Sequence, residues 1–310
     1  MAELELKTML KMLADPRDIV SRDEIEYSKK IADAAKRIVE SKEVRVVLLA
    51  GPSGSGKTTT ANLISDKIKS MGVRSMVVSL DDFYRDATDP KYPRLEDGTR
   101  DFESPMALDI EALVEVLGNI VSGKPFSVPK YDFKVGGRVA VTEYGDMADG
   151  CVIIEGIHGL NPILSDSFPK ERVLKLFVSV STNVNDGACR ILSGRKLRFV
   201  RRLVRDSIYR ASDAYRTLGM WENVRHGEDM YLYPYKDTAD IKFDTFHTFE
   251  ASVLKPYAEK LLTDEVCERS SYAAVVARAL SRLPAMETDI VPETSLIREF
   301  IPGGIYEELY

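Results

Sequence analysis

The residues Gly51, Pro52, Ser53, Gly54, Ser55, Gly56, Lys57 and Thr58 satisfy the pattern G-x-x-x-x-G-K-[ST]. Glycines at this spacing let backbone N–H groups turn inward around phosphate oxygens. Lys57 can reach the outer phosphates, Thr58 offers a hydroxyl to Mg²⁺, and a helix that starts here presents its positive end. Thr59 extends the set. The flanks agree: the apolar run "VRVVLLAG" comes before, and a helix-compatible stretch over 58–71 comes after. The pattern predicts a site for a nucleoside triphosphate. It leaves open whether the phosphate goes to water, to a protein or to a small hydroxyl compound. A GTPase would carry N-K-x-D, and the nearest segment, "NVND" at 183–186, lacks the lysine.

Two carboxylate positions could complete such chemistry. "SLDDFY" (79–84) places Asp81 at the end of an apolar run, where it could accept a proton from an attacking hydroxyl or bind the metal shell. "CVIIEG" (151–156) ends in Glu155, suited to hold a metal, usually through water. A third feature is cationic. In "RKLRFVRRLVRDSIYR" (195–210), Arg198, Arg201, Arg202 and Arg205 fall at i, i+3, i+4 and i+7 and share one helix face. Each like-charge i,i+4 pair costs about a few tenths of a kcal/mol. The stripe therefore reads as a lid whose arginines meet a polyanion and neutralise the transferring phosphoryl group.

These residues need a scaffold that brings strand ends together. "VRVVLLAG", "SMVVSLDD", "CVIIEG", "LKLFVSV" and "ADIKFDT" read as strands, and 58–71 and 107–122 as helices between them. The alternation predicts an α/β fold with a mostly parallel sheet covered on both faces and ligands at the carboxyl ends of the strands. Residues 1–42 read as a helical extension, with Ile31, Ala34, Ala35 and Ile38 on one stripe. Residues 43–262 would form the nucleotide domain, with the lid over about 195–212. Residues 263–310 would form a helix, "SYAAVVARALSRL", and a tail whose Leu296, Ile297, Phe300 and Ile301 dock on the domain.

A formal net charge of −6 argues against a nucleic-acid or membrane-surface role. Three scattered cysteines, Cys151, Cys189 and Cys267, fit a reducing compartment. The opening residues lack a signal-peptide pattern. The expectation is a cytoplasmic protein with a small-molecule partner and no membrane contact. Nothing in it excludes a homo-oligomer.

The motifs "GPSGSGKTT", "SLDDFY", "DFESPMALD", "PKYDFKVGGR", "IIEGIHGLNP" and "RRLVRDSIYR", in this order, resemble the uridine kinase and phosphoribulokinase family of P-loop kinases. "VRHGEDMYLYP", "VLKPYAEKLL" and "SLIREFI" are similar to the bacterial uridine kinase-like domain. The resemblance implies ATP as donor, Mg²⁺ as cofactor and Asp81 as general base. It implies Lys57 and Thr58 as phosphate and magnesium residues, with Glu155 in the metal shell. Tyr84, Tyr131 and Phe133 match residues around a nucleoside, and Arg202, Arg205 and Arg210 match lid arginines. Three departures bear on the acceptor. Glu103 in "FESP" stands where the family has a ribose-binding Asp, Gly136 where it has a base-reading His, and Ser212 where its lid has another arginine. The expected activity is phosphorylation of a primary hydroxyl, with a nucleoside as leading acceptor. The alternatives are another sugar or polyol, or a nucleotide-binding regulatory or RNA-associated protein.

Overall fold

The computed structural model describes residues 2–310. The described residues form the strands β1 (Glu3–Glu5), β2 (Val46–Ala50), β3 (Arg74–Ser79), β4 (Phe126–Asp132), β5 (Gly137–Tyr144), β6 (Gly150–Glu155), β7 (Val173–Ser179), β8 (Asn183–Asp186), β9 (Cys189–Leu192) and β10 (Ile241–Asp244). The α-helices are α1 (Leu6–Met12), α2 (Pro16–Glu40), α3 (Lys57–Ser70), α4 (Ile110–Val121), α5 (Pro162–Ser165), α6 (Gly194–Tyr209), α7 (Ala214–Tyr231), α8 (Glu250–Leu261), α9 (Asp264–Arg269) and α10 (Ser271–Ser281). The five expected strands form one sheet in the order β10-β7-β2-β6-β3, every pair parallel.

Strand β2 is buried along its whole length, as expected of a strand covered on both faces. Its side chains alternate. Val47 and Leu49 join the core under α2, α3, α6, α8 and α10, while Val46 and Leu48 join the core under α4 and β4. The chain leaves the middle strand β2, forms α3 and returns on the outer strand β3, with β6 between them. Such a reversal opens a crevice at the carboxyl ends of the strands. The loop 51–56, Asp81 and Glu155 all sit there.

Two small sheets lie outside the central one. β4 and β5 pair antiparallel as a hairpin closed by residues 133–136, and β1 joins β8 and β9. The segment 1–42 packs into the main core: Leu6, Met9, Ile19 and Val20 are buried, as is the stripe Ile31, Ala34, Ala35 and Ile38. Leu296, Ile297, Phe300 and Ile301 are fully buried in the same core. No helix of the described residues is long and apolar enough to cross a membrane.

Candidate active site

The loop after β2 needs its glycines for stated reasons. A Cβ on Gly51 would stand 2.2 Å from the carbonyl oxygen of Val178, so β7 leaves no room for one. Gly54 and Gly56 have φ of +70° and +85°, the left-handed region that favours glycine. Gly56 then caps α3, and Lys57 and Thr58 begin the helix. Lys57 Nζ donates to the Pro52 carbonyl at 3.3 Å. Thr58 Oγ1 donates to Glu155 Oε1 at 3.4 Å, and Ser79 Oγ donates to the same oxygen at 3.0 Å. The two hydroxyls and the Glu155 carboxylate thus converge at the ends of three adjacent strands.

The loop is braced from outside. The Ser53 amide donates to Glu228 Oε1 at 2.8 Å. Arg198 binds both oxygens of Glu228 at 2.8 Å and also the Ser53 carbonyl. Arg201 donates to the Gly54 carbonyl at 3.2 Å and pairs with Glu250. Thr245 Oγ1 donates to the Ser55 carbonyl at 2.8 Å. Glu228, Glu250 and Thr245 had no signal in the sequence beyond the segment "VRHGEDMYLYP" that contains Glu228.

These braces correct the reading of the arginine stripe. Arg198 and Arg201 are at most 1% exposed and face carboxylates of α7 and α8. Helix α6 therefore presents only part of its stripe to the crevice. Arg202, Arg205 and Arg210 surround one buried carboxylate, Asp206, at 3.2, 2.7 and 3.6 Å. Burial raises the Asp206 carboxyl, but the three guanidiniums outweigh it and hold the group below its usual range. Arg205, with help from burial, pushes Arg210 down to about 10. These cations also face other acids of the crevice, Arg202 toward Glu103 and Arg205 and Arg210 toward Asp81. Arg202 also donates to Ser53 Oγ at 2.8 Å. Just beyond α6, Ala211 adopts φ +47°, a strained conformation for a residue with a Cβ.

Asp81 follows β3 in a short 3₁₀ turn capped by Ser79. Its side chain is exposed in the crevice. Crowding by protein raises its carboxyl, while Lys57, Arg210 and Arg205 oppose the rise. Its neighbour Asp82 points elsewhere, pairing with Lys130 at 3.1 Å and accepting the Tyr131 amide. Burial pushes Glu155 up to about 7, with Lys57 opposing. The Glu155 carboxylate beside the Thr58 and Ser79 hydroxyls is an all-oxygen set of the kind a hard cation takes. Among the described residues no three acidic or histidine side chains form a metal cage. One carboxylate with two hydroxyls suits Mg²⁺, which keeps waters and takes one or two carboxylates plus substrate phosphates.

Beside Asp81 stands an aromatic wall. Tyr84 lies 5.7 Å from Tyr131 and 5.3 Å from Phe133, ring centre to ring centre. Tyr84 and Tyr131 are buried, and the Tyr84 hydroxyl donates to the Phe102 carbonyl, while Phe133 is exposed. Glu103 packs against Gly227, where a Cβ would come within 2.3 Å of the Glu103 Cβ. Burial pushes Glu103 up to about 7, with Arg202 opposing. Gly136 closes the β4–β5 hairpin at φ +73°, so a histidine there would be strained. His158 is buried, and neither ring nitrogen finds a hydrogen-bond partner among the described residues.

The family model described as "Phosphoribulokinase / Uridine kinase family" matches residues 46–252, about two thirds of the chain. The chain belongs to the phosphoribulokinase/uridine kinase family. It is 30% identical over 202 residues to a uridine kinase of Staphylococcus epidermidis, covering 64% of this chain and 86% of that protein. It is 29% identical over 202 residues to the chloroplastic uridine/cytidine kinase UKL1 of Arabidopsis thaliana. That match covers 64% of this chain but spans only 37% of the plant protein. A solved chain described as a possible uridine kinase from Bacillus stearothermophilus aligns at 18% identity with a TM-score of 0.47, covering 71% of this chain and all of that one. The crevice brings together the loop after β2, Asp81 after β3 and Glu155 at the end of β6.

Proposed function

We propose that the chain is an ATP-dependent kinase that phosphorylates a primary hydroxyl of a small polyol, with a nucleoside as leading acceptor. The observation that carries this reading is Asp81. It follows β3 in one crevice with Lys57, Arg210 and Arg205, where surrounding protein raises its carboxyl and these three cations oppose the rise. A purely nucleotide-binding or RNA-associated protein would have no use for a base at that point.

In this reading the backbone N–H groups of 51–59 and Lys57 hold the phosphates. Arg205 and Arg210 offset the charge that develops on the transferred group. Asp81 accepts the proton of the attacking hydroxyl, and its raised pKa brings its basicity closer to the operating pH. Mg²⁺, held by Thr58 and Glu155 with Asp81 nearby, would supply further neutralisation of phosphate charge. Tyr131 and Phe133 offer apolar ring faces to the acceptor, and Glu103 accepts hydrogen bonds from vicinal hydroxyls.

One observation favours a second reading, transfer to another sugar or polyol. The φ of Gly136 leaves the hairpin turn without a side chain to read a base edge. An acceptor screen with ATP tests both readings. Turnover with nucleosides, sugars or cyclic polyols would support a kinase and rank its acceptors. Tight ATP binding without turnover on any of them would support the regulatory alternative.

A further inference from the structure

The segment 295–310 lies against the start of α3 and closes over the donor loop. Glu299 Oε2 accepts the Thr59 backbone N–H at 3.2 Å and the Thr59 hydroxyl at 2.9 Å. The Tyr310 hydroxyl meets Thr59 Oγ1 at 2.6 Å. Leu296 packs on Gly56, where a Cβ would come within 2.6 Å of Leu296 Cδ1. The seam is dry: Thr59 is 1% exposed, Glu299 4% and Leu296 0%.

The Thr59 N–H belongs to the first turn of α3. That turn leaves its N–H groups without intrahelical acceptors, and phosphates take such groups at the start of a helix that follows a glycine loop. Here a side-chain carboxylate holds the group instead. A carboxylate and a phosphate are both anions. They compete for one donor, and in a buried seam they repel each other strongly.

We propose that the 295–310 segment gates the donor site, with Glu299 occupying Thr59 when nucleotide is absent and yielding to a phosphate oxygen when it binds. The proposal rests on the reading of Gly51–Thr59 as the nucleotide site. The displacement is local. Phe300 lies under the Arg201 guanidinium at 5.1 Å, and Tyr306 donates to Asp66 at 2.6 Å. These anchors, with Ile297 and Ile301, hold the segment on the domain while the Glu299 side chain swings away. Nucleotide then binds a minor open state, and its apparent affinity is reduced by the fraction of molecules that are open.

The test uses the full chain and Mg·ADP. Glu299→Gln keeps the shape of the side chain and removes its charge. The gate predicts that calorimetry will show Mg·ADP binding roughly ten-fold tighter to the variant, the scale of one charge-assisted hydrogen bond. Equal or weaker binding would overturn it and make Glu299 a support of the site. A second measurement needs no variant. The ¹³C carboxylate resonance of Glu299 should shift when saturating Mg·ADP is added to the wild type, because Thr59 no longer donates to it, and an unchanged resonance overturns the gate. Lys57→Ala separates the two readings. If Mg·ADP binding survives that substitution, the assignment of the donor site has failed. If it is lost while Glu299→Gln binds no tighter, only the gate has failed.

Discussion

The amide of Ser53 donates to Glu228 Oε1 at 2.8 Å, although the two residues are 175 positions apart in sequence. Arg198 grips both oxygens of the same carboxylate from α6. The phosphate loop is therefore held by an ion pair between two helices that its own motif does not contain. Breaking a buried pair by removing one partner leaves the other charge stranded and costs about 3–5 kcal/mol. Glu228→Ala should lose that much in urea unfolding. Arg198→Met added to Glu228→Met should recover part of the loss, though not all, because the Ser53 amide stays without an acceptor. Additive losses in the double variant would mean that the two side chains do not act as a pair.

Lys57 has a different duty. It is half-buried, and among the described residues its side chain's one hydrogen bond is to the Pro52 carbonyl. Lys57→Ala should abolish phosphoryl transfer while changing stability by only about 1 kcal/mol. The check is a thermal melt beside a turnover assay. Loss of the cooperative transition would show that the residue serves packing.

Asp81→Asn keeps the shape and removes the basicity. General-base catalysis contributes typically ~10²–10⁴-fold, and kcat should fall by that factor with ATP affinity roughly kept. If ATP binding collapses while turnover stays near normal, Asp81 is a metal or structural residue.

The acceptor site should discriminate weakly among pyrimidine nucleosides, or prefer a compound with no pyrimidine. A site that hydrogen-bonds a substrate group rejects analogues lacking it by ~10⁴–10⁵. Gly136 supplies no such group, whereas stacking on Tyr131 and Phe133 tolerates many rings. The measurement is kcat/KM for uridine, cytidine, a purine nucleoside, ribose and a cyclic polyol. A uridine preference above about 10³-fold would sink the idea and turn attention to His158.

Glu155 links the site to pH. Its carboxyl titrates near 4.5 in the unfolded chain and is pushed up to about 7 in the fold. Between these values the native state holds the extra proton, so stability falls as pH rises. The contribution is complete below about 4.5 and is lost as pH passes through about 7. Glu155→Gln removes it. Ligand-free, the variant should therefore gain on the wild type by on the order of 2 kcal/mol between pH 5 and pH 8. Urea midpoints at the two pH values check this. A difference independent of pH would mean that Glu155 is ionised throughout.

How much of this could be read in the sequence depended on how local each signal is. Strand β2, the glycine loop and α3 are contiguous, so apolar run, glycine spacing and helix start all appear within about twenty residues of text. The buried stripe of α2 was legible for the same reason. The charge state of α6 was not. A helical wheel shows four arginines together, but the acids that neutralise Arg198 and Arg201 are Glu228 and Glu250, on later helices. The roles of Arg202, Arg205 and Arg210 turn on Asp206, which the stripe omits although it lies in the same helix. The β4–β5 hairpin is marked in the sequence by the glycines of "KVGGR", a turn signal that the motif pattern around Gly136 masks. The docking of Leu296 and Ile297 followed from their apolar character; that Glu299 would seat on Thr59 did not, because a single acid in "SLIREFI" marks no partner.

The braces of the phosphate loop also bear on the order in which the molecule assembles. Ser53 to Glu228 spans 175 residues, Ser55 to Thr245 spans 190, and Thr59 to Glu299 spans 240. Contacts of such sequence separation carry the largest loop-closure cost and dominate the slow part of folding. The motif leaves the ribosome before α7, α8 and the 295–310 segment. The loop residues are neighbours in sequence, but their braces form only after α7 and the 245–250 region have closed on them.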